Sequence, residues 1–242
     1  MRRKTKYSLM SKTGLAACLL LAASAARANM TVYPMSAMID ETRQEATTLQ
    51  VISKSEATQY VRVTVKRISR PATPYETEET PVGDPGIVVS PDKFALSAGV
   101  TRTVRIISLR TPEKEEAWRV YFEPVPTLDD GAEQPKETTR VNVNLVWGVL
   151  VRLMPAEQRP ELLRSSDGSK LINKGNLRYG VLRVAQCANE DNCNWKKVDT
   201  SVYPGEELAL PSGITPAALR VEYRLGASAP TTATLVAGAS LK

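Results

Sequence analysis

The 242-residue chain contains no histidine. Ser-His-Asp and Cys-His catalysis both need an imidazole, and most zinc sites use one as a ligand. Ser90 and Lys93 have the S-x-x-K spacing of some acyl-enzymes, but the S-D-N and K-T-G motifs that accompany it are absent. Since there is no glycine-rich phosphate loop either, the sequence predicts a protein that is not an enzyme.

Residues that could hold a metal ion are also scarce. The C-x5-C pair of Cys187 and Cys193 has no second pair beside it, as a metal knuckle would need. The acidic cluster of Glu76, Glu78 and Glu79 lacks the ligand spacing of a calcium loop. The sequence therefore predicts no metal site, and it predicts a solvated loop at the acidic cluster.

The chain also lacks an apolar run of the about 20 residues that span a bilayer. The run of small and apolar residues over 14–26 is shorter, and it follows a basic, acid-free segment. The basic side chains of that segment are Arg2, Arg3, Lys4, Lys6 and Lys12. Small residues at Ala26 and Ala28 suit a signal peptidase. Residues 1–28 are therefore predicted to be a secretory signal peptide cleaved between Ala28 and Asn29, which predicts a periplasmic protein whose mature form is not inserted in a membrane.

A lipoprotein signal is the alternative interpretation of the same segment, because Leu15-Ala16-Ala17-Cys18 matches a lipid-attachment box. That interpretation is less favoured, since Lys12 leaves almost no apolar run before Cys18. Cleavage after Ala28 uses the whole run.

The predicted signal peptide carries the charge imbalance of the chain. It holds six of the 32 basic residues and none of the 26 acidic residues, so the rest of the chain is neutral. Composition therefore gives no support for nucleic acid as a partner. Cys18 is removed with the same segment. The remaining pair, Cys187 and Cys193, is predicted to form one disulfide in an oxidising compartment, with two free thiols as the alternative.

Beyond residue 28 the sequence has the pattern of an all-β protein. Short alternating segments rich in Val, Ile, Thr and Tyr recur between clusters of Pro, Gly, Asn and Asp, and no helical period is sustained. We predict an antiparallel sandwich over 29–153, a linker over 154–160 that contains two prolines, and a second, smaller sandwich over 161–242. A single continuous barrel is the alternative.

The segment 141–151 alternates more regularly than any other. Val141, Val143 and Leu145 share one face, while Asn142 and Asn144 lie on the other. Its second half is apolar on both faces and is predicted to be buried on both sides. A polar segment, 125–139, precedes it, so the strand lacks the usual protection of a sheet edge. Such a strand can dock a partner by strand addition, with these three apolar residues as anchors, or it can be an ordinary core strand.

Several motifs resemble the periplasmic chaperones of the chaperone/usher pilus pathway. The resemblance is carried by Ser90–Arg105, Glu115–Pro126 and Val141–Pro155, and by the turns Asn173–Asn176 and Tyr203–Gly205. It is closest to the chaperones of class 5 fimbriae. The features shared with that subgroup are Tyr33–Ser36, Ser53–Ser55, Gln59–Tyr60, Gly86–Pro91, Lys114–Glu116, Arg119–Glu123 and Glu157–Gln158.

The resemblance implies two immunoglobulin-like domains in an L shape and a function without cofactor or ATP. Such a chaperone fills the open groove of a pilin subunit with its own strand and delivers the subunit to an outer-membrane usher. Val141, Val143 and Leu145 are then the donated residues, and self-association through the exposed strand is open to the free protein. An exported β-sandwich adhesin or sugar-binding module is the alternative function.

The pattern of the family is incomplete at one site. Most such chaperones hold the C-terminal carboxylate of the subunit with an Arg on the first strand and a Lys on the seventh, but 30–40 contains no basic residue. In the class 5 subgroup a Thr and an Arg take this role, which maps onto Thr139 and Arg152, and a guanidinium suits a carboxylate because it binds in a bidentate manner. An ion pair of Arg152 with Glu115 or Glu116 between the domains is the alternative.

Overall fold

The computed structural model describes residues 29–40, 42–128, 145–188, 192–215 and 217–241. All regular structure in these residues is β, in four sheets. The first two sheets hold residues from Met30 to Leu153, and the other two hold residues from Leu162 to Leu241. The prediction of an all-β chain is confirmed, and four separate sheets do not fit the single barrel that was the alternative. The exact domain boundaries stay a prediction.

Ten strands build the first pair of sheets. They are β1 (Met30–Tyr33), β2 (Ser36–Ile39), β3 (Ala46–Ser53), β4 (Gln59–Ser69), β5 (Thr77–Glu79), β6 (Ile87–Ser90), β7 (Lys93–Leu96), β8 (Thr101–Ser108), β9 (Glu116–Val125) and β10 (Trp147–Leu153). One sheet has the order β1-β3-β8-β6. The other has the order β2-β10-β9-β4-β5, with β7 also paired to β4. Between them lies a core of alternate side chains from both inner faces, among them Leu49, Val61, Val104, Val120 and Val151.

The segment from Met30 to Asp40, predicted as one strand, is two strands on opposite sheets. β1 pairs antiparallel with β3, whereas β2 pairs parallel with β10. The change of sheet falls at Pro34, which has no N–H to donate to a ladder. The chain therefore crosses the edge of the sandwich at this point and covers part of β10.

Eight strands build the second pair of sheets. They are β11 (Leu162–Arg164), β12 (Lys170–Asn173), β13 (Tyr179–Cys187), β14 (Cys193–Val202), β15 (Glu207–Ala209), β16 (Leu219–Leu225), β17 (Thr231–Leu235) and β18 (Ser240–Leu241). The orders are β15-β12-β11-β18 and β14-β13-β16-β17. β17 is followed by a turn over 236–239, in which Gly238 has a φ of 78°, and after this turn β18 joins the other sheet.

The predicted disulfide is present in the second sandwich. Cys187 at the end of β13 and Cys193 at the start of β14 are opposite each other in the ladder and are bonded. The bond closes a short loop at the tip of this hairpin, for which the chain-entropy argument expects a stabilisation of about 2 kcal/mol.

Trp118 lies at the centre of the first core and is fully buried. Its indole packs directly over Gly86, where a Cβ would overlap the ring, with Cη2 of Trp118 2.8 Å away. Gly86 also has a φ of 64°, which favours glycine. The Gly-Ile-Val-Val-Ser-Pro motif thus begins with a residue that must be glycine for two reasons.

Gly86→Ala tests this packing. We expect it to lower the free energy of unfolding by about 1–3 kcal/mol more than Gly99→Ala does, because overpacking is added to backbone strain. Gly99 is a matched control, since its φ is 69° but no atom lies within 4 Å of its Cβ position. Urea unfolding of both variants gives the comparison, and equal destabilisation would show that the contact with Trp118 costs nothing.

Candidate functional site

Strand β10 is covered unequally on its two sides. It pairs with β9 along its whole length, from Trp147 opposite Phe122 to Leu153 opposite Glu116. On its other side it pairs with β2 only from Leu150 onward. Among the described residues, no strand pairs with Trp147, Gly148 and Val149 on that side. Leu150–Leu153 therefore have a neighbouring strand on both sides, because the sheet change at Pro34 brings β2 beside them, whereas the three residues before them have only β9 in the described part of the chain.

Five large apolar side chains are exposed near the start of β10. The exposed fractions are 66% for Tyr33, 44% for Met35, 38% for Tyr60, 52% for Leu145 and 50% for Val146. Leu145 and Val146 directly precede β10, Met35 directly precedes β2, which runs parallel to β10, and Tyr60 lies at the start of β4, where β9 ends. Tyr33 is the last residue of β1 in the other sheet. We call these five residues the exposed apolar end. Contiguous exposed apolar patches mark interaction surfaces more often than single exposed residues do.

The predicted donor residues are only partly within the described structure. Leu145 is exposed and lies two residues before β10, which begins at Trp147, whereas the alternation predicted a strand from Val141. Continuing the β9 register would bring Pro124 opposite Leu145, and proline has no N–H to donate. Val141, Val143 and Thr139 lie outside the described residues, as does Ala28 of the predicted cleavage site. Their roles stay predictions.

The second half of the strand is buried on its inner face but only half-buried on its outer face, so the prediction of burial on both sides is met on one face. Val149, Val151 and Leu153 lie in the core of the first sandwich. On the opposite face Leu150 packs with Ile68, Ala117 and Tyr203. Tyr203 belongs to the second half of the chain, so this outer face of β10 is part of the contact between the two sandwiches. Burial, with a smaller contribution from the charge of Glu115, raises the pKa of Tyr203 to about 12.

A buried carboxylate joins the two halves of the chain beside this apolar contact. Glu115, whose side chain is fully buried, accepts from Nη1 of Arg152 at 3.0 Å through Oε1. Nε of Arg178 lies 3.6 Å from the same oxygen, and the backbone N–H of Arg178 donates to Oε2 at 2.8 Å. Burial first, and then the charge of Arg152, lower the pKa of Arg178.

Of the two roles considered for Arg152, an ion pair is observed, but it lies within the first sandwich, and the second half of the chain joins it only through Arg178. Its partner is Glu115, whereas Glu116 pairs with Arg67 and Arg110. The role of Arg152 as an anchor for a subunit carboxylate is not tested by these contacts and stays a prediction. Sequence reasoning did not identify Arg178, because its position before β13 carries no motif of its own.

Asn176 fixes the predicted linker against both sandwiches. Its Nδ2 donates to the carbonyl oxygens of Glu113 at 3.1 Å and Glu157 at 2.7 Å, and its Oδ1 accepts from the N–H of Arg159. Its carbonyl oxygen accepts from the N–H of Glu115 at 2.8 Å. Sequence reasoning identified the Asn-Lys-Gly-Asn turn as a family feature but missed this role, since nothing in the sequence shows which backbone groups the amide reaches.

The acidic cluster is exposed, as predicted, but part of it is a strand and not a loop. Thr77–Glu79 forms β5, and Glu78 accepts from the Tyr121 hydroxyl and pairs with Arg119, both at 2.7 Å. Tyr121 and Arg119 lie close over Gly148, where a Cβ would be 3.0 Å from one side chain and 3.1 Å from the other. The acidic residues therefore hold side chains of β9 in place over β10.

Neither a metal frame nor a membrane helix is found in the described ranges. No group of three or more His, Cys, Asp or Glu residues there could hold a metal ion. No helix in that part of the chain is long and apolar enough to cross a membrane.

Known proteins resemble the chain along most of its length. A CFA/I fimbrial protein from Escherichia coli, named as a subunit, is 35% identical over 195 residues, which cover 77% of this chain and 81% of that protein. The crystal structure of the class 5 fimbriae chaperone CfaA has a TM-score of 0.71 at 28% identity, over 86% of this chain and 99% of that one. The chain belongs to the class 5 fimbrial chaperones. No protein-family profile matches it.

A second structure agrees with this assignment. A chain of a chaperone–tip adhesin complex of CFA/I fimbriae biogenesis has a TM-score of 0.70 at 28% identity, over 87% of this chaperone and 100% of that chain. The relative from Escherichia coli has the word subunit in its name, but the two solved structures and the two sandwiches of this chain agree with a chaperone. The predictions of two immunoglobulin-like domains and of a protein that is not an enzyme are confirmed by the family.

The ion pair predicts an effect of Arg152 on the free chaperone. We expect Arg152→Met to lower the free energy of unfolding by about 1–3 kcal/mol, because Glu115 keeps only one of its two guanidinium partners. The control is Arg43→Met, since Arg43 is 81% exposed in its pair with Asp40 and such pairs contribute about 0–1 kcal/mol. Thermal or urea unfolding gives both values. Unchanged stability of the Arg152 variant would contradict a structural role for the pair.

Proposed function

We propose that this chaperone works in the periplasm, where it binds pilin subunits by strand donation and delivers them to an outer-membrane usher. One observation carries the proposal: β10 starts with an unpaired edge at the exposed apolar end. A sheet edge of this kind offers main-chain hydrogen bonds to an incoming strand, and the apolar side chains around it offer anchors. An unfinished fold that lacks a strand of its own is the partner that fits such an edge.

The donated segment is the chain before β10. Val141, Val143 and Leu145 share one face by alternation and enter the groove of the subunit. Burying a side chain of this size is favourable by about 1.5–3 kcal/mol, so three anchors provide substantial affinity without a cofactor. The half-exposed Leu145 supports this assignment, because a side chain that is already out of the core loses no packing when a partner covers it.

Thr139 and Arg152 are proposed to hold the C-terminal carboxylate of the subunit. Nη1 of Arg152 donates a hydrogen bond to Glu115. Because a guanidinium has five N–H donors, Arg152 keeps donors for a second carboxylate. Its side chain is 14% exposed, which leaves part of the group open to a ligand.

The proposal includes the maturation of the chain. Residues 1–28 are removed between Ala28 and Asn29, and the mature form is not inserted in a membrane. It comprises a subunit-binding domain over 29–153, a linker over 154–160 and a second domain over 161–242. The gap between β10 and β11, from Leu153 to Leu162, supports this division. When no pilin is bound, the exposed strand is free to pair with a second copy of the chain.

Strand donation is tested with Val143→Glu. The mature chaperone and the pilin encoded beside it should co-purify from the periplasm as a soluble 1:1 complex. We expect Val143→Glu to abolish this complex, because a carboxylate in an apolar groove costs several kcal/mol.

Asn142→Glu is the matched control, since it adds the same charge one residue away on the opposite face of the strand. We expect the control to retain the complex. An intact complex with Val143→Glu would disprove strand donation through this face, and loss with both variants would show that charge near the strand, and not the side-chain face, decides binding.

A further inference from the structure

The contact between the two sandwiches contains more positive than negative charge. Arg152 and Arg178 both pair with Glu115, and no second carboxylate of the described residues lies within 4.0 Å of either guanidinium. The side chain of Arg152 is 14% exposed, that of Arg178 is 16% exposed, and that of Glu115 is fully buried. Buried charges in proteins are usually paired, because desolvation of an unpaired ion costs several kcal/mol. One of these two positive charges has no carboxylate of its own.

Arg178 has hydrogen-bond donors with which to bind a further anion. Its Nη1 donates to the Ser201 hydroxyl at 2.7 Å, and its Nε is buried without a hydrogen-bond acceptor, at 3.6 Å from the shared Glu115 oxygen. The two guanidiniums also repel each other, which is one of the causes that lower the pKa of Arg178. A second carboxylate between them would provide acceptors and relieve this repulsion.

We infer that Arg178 and Arg152 together bind the C-terminal carboxylate of the subunit, so that each sandwich contributes one arginine. This inference rests on the proposed function and extends it, because Arg178 lies before β13 in the second half of the chain. Glu115 positions both guanidiniums, through Oε1 for each side chain and through Oε2 for the backbone of Arg178. A bound terminus would therefore contact both halves of the chaperone at once.

The test compares two forms of the pilin subunit. One has its native C-terminus, and the other is extended by Gly-Ser-Gly, which moves the terminal carboxylate away from the arginines. Each is purified in complex with the wild-type chaperone, with Arg178→Met and with Arg224→Met. The last variant is the control, since Arg224 is an exposed arginine of the same half of the chain. The rate of dissociation is followed after addition of labelled chaperone in excess.

With the native subunit we expect Arg178→Met to accelerate dissociation about tenfold or more, which is the effect of losing hydrogen bonds to a charged group. With the extended subunit the same variant should change the rate by less than about twofold. Arg224→Met should have no effect on either. Only a contact with the terminal carboxylate makes the effect of Arg178 depend on the length of the subunit.

Equal acceleration with both subunits would overturn the inference, because Arg178 would then act only through Glu115 and the contact between the sandwiches. If Arg178→Met does not fold, Arg178→Lys takes its place, since it retains a positive charge near Glu115 but loses the planar set of donors. Arg178→Lys should also accelerate dissociation more with the native subunit than with the extended subunit, by a smaller factor. If the two rates change equally, the inference is wrong. A wild-type chaperone that binds neither subunit would contradict the proposed function instead.

Discussion

Glu115 carries its charge at a position that water does not reach, and the contact between the two sandwiches depends on satisfying that charge. Its two partners are Arg152, near the end of β10, and Arg178, just before β13. A buried carboxylate that loses such partners is strongly destabilising. The apolar contact of Leu150 with Tyr203 lies on the same face of the sheet. The strand with the exposed start is thus fixed at its other end by charge and by packing.

This arrangement resolves a conflict in the requirements on one strand. For the proposed strand donation its first residues need to be open to a partner, whereas an open apolar strand invites aggregation. The structure separates the two requirements along the chain. From Leu150 onward the strand has a neighbour on both sides and its outer face packs against the second sandwich, while Trp147, Gly148 and Val149 have one neighbouring strand in the described structure.

Sequence reasoning predicted the all-β class, most strands, the disulfide and the alternation of β10, because each depends on local pattern or on cysteine count. It did not predict that Met30–Asp40 divides between two sheets, since the partner of β2 lies more than a hundred residues away in sequence. It also missed Arg178 and Asn176. Their partners are a side chain and backbone groups brought together only by the contact between the sandwiches, and no spacing in the sequence encodes that contact.

The partial cover that β2 provides has a consequence for any strand that pairs along this edge. Because β2 occupies the edge of β10 from Leu150, an incoming chain meets a physical stop there. For the proposed strand donation, the number of residues that can pair with a subunit is therefore counted backward from Val149. A groove that is one residue out of phase would place every side chain on the wrong face, so the position of this stop fixes the register of pairing.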